Sequence, residues 1–379
     1  MLNIDTQWIP VTEDYKEIVS IGRQIEEKNP QIYTPQMVER IKKSIVDYCS
    51  DRTPEQQLAL FYHSLYDYWM YGATIDEEIY LKLENKTDTE KKSYITERNR
   101  WQYYRFLNTG DWHLLRNKYQ SYLMLKEHYK RDMIEVKGDE NKAEFNQFVD
   151  RHPIFVVKPV GGSCAYGVSK ISADDYRNRD ELFDALLVIL EDTKHLSNLE
   201  QVKSLVLEEL IEQVDELAVF HPSSVNAIRL ITVRTGQDVA FFYPWIKFGA
   251  HGSFVASAAV HGFDAGIDPQ TGVIITDGFT ESGESVECHP DSGIRFKGYQ
   301  IPRWKELLVF GRQLALSLPS FRYVGWDVVL TPKGWCLMEA NHAGQFMGQM
   351  IFQRGLRKEF EELIGWPNNE KAENNQDAI

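Results

Sequence analysis

Apolar and polar positions follow two different periods along this chain. From the start to about Asn108 the apolar residues recur every third or fourth position, the spacing of helices with one buried stripe. "TPQMVERIKKSIVDYC" opens with Thr34 as N-cap and Pro35 at the first helical position. "TPEQQLALFYHSLYDYWMYG" repeats that start at Thr53 and Pro54 and stops at Gly72. Its aromatics Phe61, Tyr62, Tyr66 and Trp69 are expected to be packing core rather than a ligand box. "LENKTDTEKKSYITERNRWQ" is charged enough to be expected in solvent. From about Gly110 the period changes. One more helix, "LLRNKYQSYLMLKEHY", leads into short runs rich in Val, Ile and Phe: "IFVVKPV", "SLVLEELI", "AIRLITVR", "VAFFYPWI", "GVIITDG", "VGWDVVL" and "WCLMEAN". Helical runs "RDELFDALLVILEDT" and "IPRWKELLVFGRQLALSL" lie between them. Strands and helices mixed without strict alternation predict an α+β fold with antiparallel sheets. After Trp366 the chain is polar and is expected to be disordered.

The last two strands carry an anomaly. In "YVGWDVVLTPKGWCLMEANH" the turn Thr331-Pro332-Lys333-Gly334 reads as a three-residue hairpin loop with a bulge at the glycine. That loop sets Thr331 opposite Trp335, Val329 opposite Leu337, Asp327 opposite Glu339 and Gly325 opposite Asn341. Two carboxylates and an amide oxygen then share one face of an otherwise apolar hairpin. Facing carboxylates repel unless a cation or a shared proton lies between them. Oxygen-only ligands suit Mg²⁺ or Mn²⁺; a solvated polar sheet face is the alternative.

Upstream, "FVVKPVGGSCAYGVSK" runs a strand into Lys158 and then a loop with Gly161, Gly162, Ser163 and Gly167. Small residues let backbone N–H groups approach an anion, and Lys158 would reach phosphate oxygens. No GK[ST] follows and no helix opens, so this is neither a P-loop nor a dinucleotide fingerprint; by itself it is also an ordinary hairpin turn. "SLVLEELIEQ" ends a strand on Glu208, Glu209, Leu210 and Ile211. Such a strand end offers backbone groups to an adenine, or simply leaves the core.

Composition narrows the function classes. The 379 residues suffice for two or three domains. A formal net charge of −14 argues against nucleic-acid or anionic-membrane partners. Cys49, Cys164, Cys288 and Cys336 show no CxxC spacing, which fits a reducing cytoplasm. The N-terminus lacks a signal-peptide pattern, and no apolar run would span a bilayer. Cys288 and His289 are adjacent in a loop, an arrangement that rarely makes a catalytic dyad.

Taken in order, a helix with an early lysine (Lys118), the Lys158 glycine loop, the Glu208–Ile211 strand end and the Asp…Glu-x-Asn hairpin resemble the ATP-grasp superfamily. "SVNAIRLITVR", "GIDPQTGVI", "HPDSGIRFKGYQIPRW" and the final hairpin are similar to blocks of its sugar-transfer-associated family, related to α-L-glutamate ligases. The resemblance implies an ATP-grasp fold, two α+β lobes gripping ATP, preceded by a helical region. The expected division is 1–108 helical, 109–366 ATP-grasp (109–212 and 213–366 as the two lobes) and 367–379 tail. It implies Lys118, Lys158 and the 161–167 loop on the ATP phosphates, and Glu208 to Ile211 as the adenine-side hinge. Glu216, with Glu212 as alternative, would take the ribose. Asp327, Glu339 and Asn341 would hold Mg²⁺, with Arg229, Asn226 and Lys247 at the transferring phosphate. His289, Asp291 and His342 are candidates for the acceptor side. Ala165 in the glycine loop and Ala256-Ser257 depart from the family pattern, and Lys247 stands where an arginine is usual.

The implied activity is an ATP-dependent ligase joining a small carboxylate to an amine, with a sugar acid as one context. A kinase-like phosphotransferase and a nucleotide-binding module without catalysis are the alternatives. The helical region would be an acceptor-shaping cap or the surface of a homodimer.

Overall fold

The computed structural model describes residues 9–162, 167–193, 203–236, 238–344 and 346–367. These fold as two units, residues 1–107 with 345–379 and residues 108–344. Ser163, Cys164 and Ala165 of the glycine loop, and the polar tail from 368 onward, lie outside the described residues.

In the first unit the helix signals act as read. Thr34 and Thr53 accept from the backbone N–H of Met37 and Gln56 and start the helices Pro35–Tyr48 and Pro54–Tyr71. Gly72 ends the second in the left-handed conformation, φ 74°. A helix at Tyr15–Lys28 crosses Pro54–Tyr71, and Ile18, Ile21, Ile25, Leu65, Tyr66 and Trp69 fill the contact. The charged stretch after Leu83 corrects the expectation of a solvated face. Lys91, Tyr94, Ile95 and Thr96 are buried, because the Lys91 amine neutralises a buried carboxylate, Asp67.

The second unit has two antiparallel sheets, as the α+β reading requires. The smaller one orders β1 (Met133–Val136), β2 (Ile154–Pro159), β3 (Ser169–Ser172) and β4 (Leu205–Glu209) as β1-β4-β2-β3. One face packs Phe155, Val157 and Leu207 against Phe145, Phe148, Phe183 and Leu186 from the helices Lys142–Arg151 and Arg179–Thr193. The other face carries Val156, Lys158, Val206 and Glu208, paired across β2 and β4.

The larger sheet holds β5 (Ala227–Thr235), β6 (Asp238–Phe241), β7 (Trp245–Phe248), β8 (Phe263–Gly266), β9 (Gly278–Phe279), β10 (Ser285–Val286), β11 (Tyr323–Thr331) and β12 (Gly334–Asn341). Its order is β10-β9-β8-β7-β5-β11-β12, with β6 also on β5. The run "VAFFYPWI" is therefore two strands, broken where Tyr243 turns to φ 43°. "GVIITDG" contributes isolated bridges at Val273 and Ile274, and only its last residue, Gly278, enters a strand, β9. Val324, Trp326, Val328 and Leu330 of β11 bury one face against Leu307 and Leu314 of the helix Trp304–Ser317. Asp327 and Gly325 point to the other.

The final hairpin corrects the sequence reading. Thr331 pairs with Gly334, so the loop is the two residues Pro332 and Lys333, and Val329 faces Cys336, not Leu337. Carried along the whole hairpin, that register would place Asp327 opposite Met338 and turn Glu339 to the core. A bulge between Asp327 and Val328 absorbs one residue of β12, and Asp327 then opposes Glu339 and Gly325 opposes Asn341. The expected polar rungs exist, but the bulge makes them rather than the turn.

Candidate active site

Lys118 is where the two sheets share a side chain. The expected single helix breaks after Arg116 and restarts at Asn117, whose side chain caps Lys118–Tyr129 by accepting from Gln120 N at 2.9 Å. Lys118 thus becomes the first helical residue. Its backbone N–H donates to Val160 O (2.9 Å), and its ammonium donates to Gly162 O (2.9 Å). The same ammonium lies 3.9 Å from Glu339 Oε1. Glycine loop and final hairpin therefore meet at one cation. Gly162 has φ 99°, and a Cβ on Gly161 or Gly162 would meet nothing within 4 Å, so the loop's backbone is open to a ligand.

Across the β12 bulge, Asp327 is held tightly. Arg229 on β5 donates through Nε to Asp327 Oδ1 (2.6 Å) and through a terminal nitrogen to Oδ2 (3.0 Å). Lys247 on β7 donates to Oδ1 (3.0 Å), and Asn341 Nδ2 lies 3.4 Å from Oδ2. Burial by itself would raise the Asp327 carboxyl, but Arg229 and Lys247 more than offset it and hold it at about 2. Asp264, opposite Lys247 on β8, was not anticipated. Burial pushes its carboxyl up to about 7 against the pull of Lys247 and Arg229, and its Oδ1 has no hydrogen-bond partner. The small-residue alternation of "FDAG" was the available signal that an acid there shares a face with Gly266.

A pH prediction follows from Asp264. Between its ordinary value of 3.8 and about 7 the folded protein holds a proton that the unfolded chain has released. Unfolding then releases that proton, and stability falls as pH rises through this window. Asp264→Asn will flatten the slope and be the more stable protein at pH 8, by an order of 2–4 kcal/mol. Urea midpoints at pH 5 and pH 8 check this; an unchanged slope in the variant would refute it.

Lys158 donates to Glu208 Oε2 (3.0 Å), and Arg131, also not anticipated, donates to the same oxygen at 2.9 Å. Arg131 reaches on to Leu337 O (2.5 Å) and Met338 O (3.3 Å), the carbonyls at the β12 bulge. Burial opposes ionisation of Glu208; Lys158 and Arg131 overcome it and lower its carboxyl. The Glu208 side chain is thus a structural counter-ion for these two cations. The Glu209 carboxylate accepts from Asp132 N (3.0 Å), and β4 ends there, leaving Leu210 and Ile211 beyond the ladder, both half-buried. Glu216 and Glu212 are exposed.

Asn226, His289, Asp291 and His342 have these surroundings. Asn226 is fully buried, and its amide donates to Leu217 O (2.7 Å) and His221 O (3.3 Å), fixing a loop instead of facing Arg229. His289 is fully buried among Phe220, Phe248, Phe263 and Phe296. Its Nε2 contacts Gly249 O (2.7 Å) and its Nδ1 accepts from Asp291 N (3.3 Å), which leaves no nitrogen for a substrate or for Cys288. Asp291 accepts in turn from His251 N (2.8 Å). His342 stacks near Trp112, ring centroids 5.4 Å apart. Burial, with Arg116 and His113, lowers it to about 4.

The donor set suits a hard divalent cation. Asp327, Glu339 and Asn341 offer oxygen alone, from adjacent rungs of one face, and Glu339 is about a third exposed with its nearest cation 3.9 Å away. Asp327 is already shared by two cations, so Glu339 and Asn341 are the more available ligands.

The sugar-transfer associated ATP-grasp family matches residues 98–364. The chain belongs to that family. Its fold is the ATP-grasp fold, here with a four-stranded and an eight-stranded antiparallel sheet. No curated protein matches it in sequence. Among solved structures it is similar to a D-alanyl-alanine synthetase A from Vibrio cholerae, at 9% identity and TM-score 0.37, over 63% of each chain. It is similar to a D-alanine–D-alanine ligase from Helicobacter pylori at 16% identity and TM-score 0.39, over 66% of this chain and 60% of the other. A RiPP-associated ATP-grasp ligase from Chryseobacterium gregarium matches at 16% identity and TM-score 0.37, over 71% and 67%. The chain spans about three fifths of the length of the first two ligases. Among the described residues no helix is long and apolar enough to cross a membrane.

Proposed function

We propose that this ATP-grasp chain is an ATP-dependent ligase that joins a small carboxylate to an amine. The observation that carries the reading is Lys118, bonded to the glycine-loop carbonyl of Gly162 and facing Glu339 beside the Asp327–Arg229–Lys247 cluster. In this reading Lys118 and the 161–167 loop hold the ATP phosphates, and Lys158 assists from β2. Glu208 to Ile211 form the adenine side, with Glu216 or Glu212 on the ribose. Asp327, Glu339 and Asn341 would hold Mg²⁺, which when bound supplies charge neutralisation on the phosphate oxygens. Arg229 and Lys247 face the transferring phosphoryl group and offset its developing charge.

A carboxylate oxygen of the substrate attacks the γ-phosphorus, and the bond to the ADP oxygen breaks. The amine nitrogen then attacks the acyl carbon, inorganic phosphate leaves and the amine gives up a proton.

Incubation with ATP, Mg²⁺ and pools of carboxylates and amines, with products resolved by mass, tests the reading. ADP and phosphate are expected only when both pools are present. A phosphorylated carboxylate accumulating as sole product without amine would make the protein a phosphotransferase. ATP binding with no turnover against any pool would make it a non-catalytic module, the outcome that Ala256 and Ser257 would favour.

A further inference from the structure

The helical unit buries three side chains that no part of the ATP-grasp chemistry uses. His63 and Asp67 lie one turn apart on the Pro54–Tyr71 helix, and Glu78 comes from the helix Ile75–Tyr80. Each is 1% exposed or less. One ligand atom from each lies within 4.8 Å of the other two. His63 Nδ1 is 3.2 Å from Glu78 Oε1 and 3.6 Å from Asp67 Oδ2.

Both His63 nitrogens have no hydrogen-bond partner. A buried polar atom left unpaired costs about 1–3 kcal/mol, and two on one buried ring require an account. Lys91 lies 2.9 Å from Asp67, the Asp67 and Glu78 carboxyls pair with each other, and the Glu84 backbone donates to Glu78, which leaves the two His63 nitrogens unsatisfied.

We propose that His63, Asp67 and Glu78 form a binding site for one divalent transition-metal ion, of the Zn²⁺ or Mn²⁺ class, distinct from the nucleotide's Mg²⁺. Ligand atoms at about 2.1 Å from a metal stand roughly 3.0–3.4 Å apart at octahedral or tetrahedral angles, close to the two His63 separations. One imidazole with two carboxylates suits borderline metals and disfavours Mg²⁺, which takes oxygen. Lys91 acts as the outer partner that orients Asp67. His63 and Lys91 also line a cavity of about 30 Å³ with Tyr15, Tyr71, Glu84 and Asp88. The ion would clamp two consecutive helices, so its effect is on stability.

The full chain, dialysed against EDTA and then titrated with Co²⁺ as spectroscopic probe, tests this. One cobalt per chain, with visible absorption of a low-symmetry site, is expected, and Zn²⁺ should displace it and raise the melting midpoint by several degrees. Glu78→Gln, which keeps the side-chain shape, should weaken binding by roughly 100-fold or more, and His63→Ala should do the same. Glu339→Gln, in the nucleotide site, should leave it unchanged. No cobalt bound by the wild-type chain, or full binding by Glu78→Gln, would overturn the site. Neither result depends on whether ATP is turned over.

Discussion

Asp327→Ala is expected to lose both ATP turnover and several kilocalories of stability, whereas Glu339→Gln loses turnover alone. Asp327 is 3% exposed and is the shared counter-ion of Arg229 and Lys247. Its removal leaves two cations packed side by side on β5 and β7 with no anion between them. Breaking a buried pair in this way costs about 3–5 kcal/mol, on the order of a 10 °C fall in the melting midpoint. Glu339 differs in every respect that matters to the fold. It is about a third exposed, and its cation is 3.9 Å away, so its loss should move stability by no more than about 0.5 kcal/mol. If Glu339 and Asn341 are the more available ligands for Mg²⁺, Glu339→Gln will cut Mg²⁺-dependent turnover by roughly 100-fold or more. Calorimetry and ADP release on the two variants together decide the matter. Normal turnover in Glu339→Gln would remove the metal assignment, and an unchanged midpoint in Asp327→Ala would remove the counter-ion argument.

The second large effect is expected at Arg131. Its guanidinium reaches three elements: Glu208 at the end of β4, the Leu337 and Met338 carbonyls at the β12 bulge, and Tyr129, whose ring lies 5.0 Å away. The bulge takes those carbonyls out of the regular ladder, and the planar fork of an arginine can pair them while holding a carboxylate. Arg131→Met should therefore destabilise by about 3–5 kcal/mol, leaving Glu208 to Lys158 and two carbonyls unpaired. Arg131→Lys should recover less than half of that, because a single ammonium cannot span the three acceptors. Glu208→Gln added to Arg131→Met should cost less than the sum of the two single changes, since the buried anion has gone. Denaturant unfolding of the four proteins measures all of this. Additive single effects would show that Arg131 and Glu208 do not act together. The same variants should lose ATP turnover more than a destabilised fold alone predicts, because a slipped bulge rotates Glu339 away from Asp327.

Local chemistry decided much that was legible in the sequence. Thr34-Pro35 and Thr53-Pro54 start helices because a hydroxyl and a fixed φ act within one turn, and Gly72 ends one for the same reason. The strand-to-lysine passage into the glycine loop and the polar rungs of the last hairpin were readable from period-two alternation. The order of those pieces along the chain was enough to indicate the family that residues 98–364 match. What failed did so where a side chain's partner is remote in sequence. Lys91 reads as solvated until Asp67, 24 residues earlier, is placed beside it. The partners of the Asn226 amide and the His289 ring, Leu217 O and Gly249 O, are likewise reported by no spacing in the sequence.

By itself, then, the sequence determined the α+β class and the starts and stops of several helices, because propensity, capping and alternation are properties of neighbouring residues. Only the tertiary structure decided which side chains share a face. The register of the final hairpin turned on one bulged residue, Met338, that no turn chemistry reports. Arg131 and Asp264 entered the site through burial and cross-strand pairing, and such pairing is set by the packing of two sheets, not by any spacing along one chain.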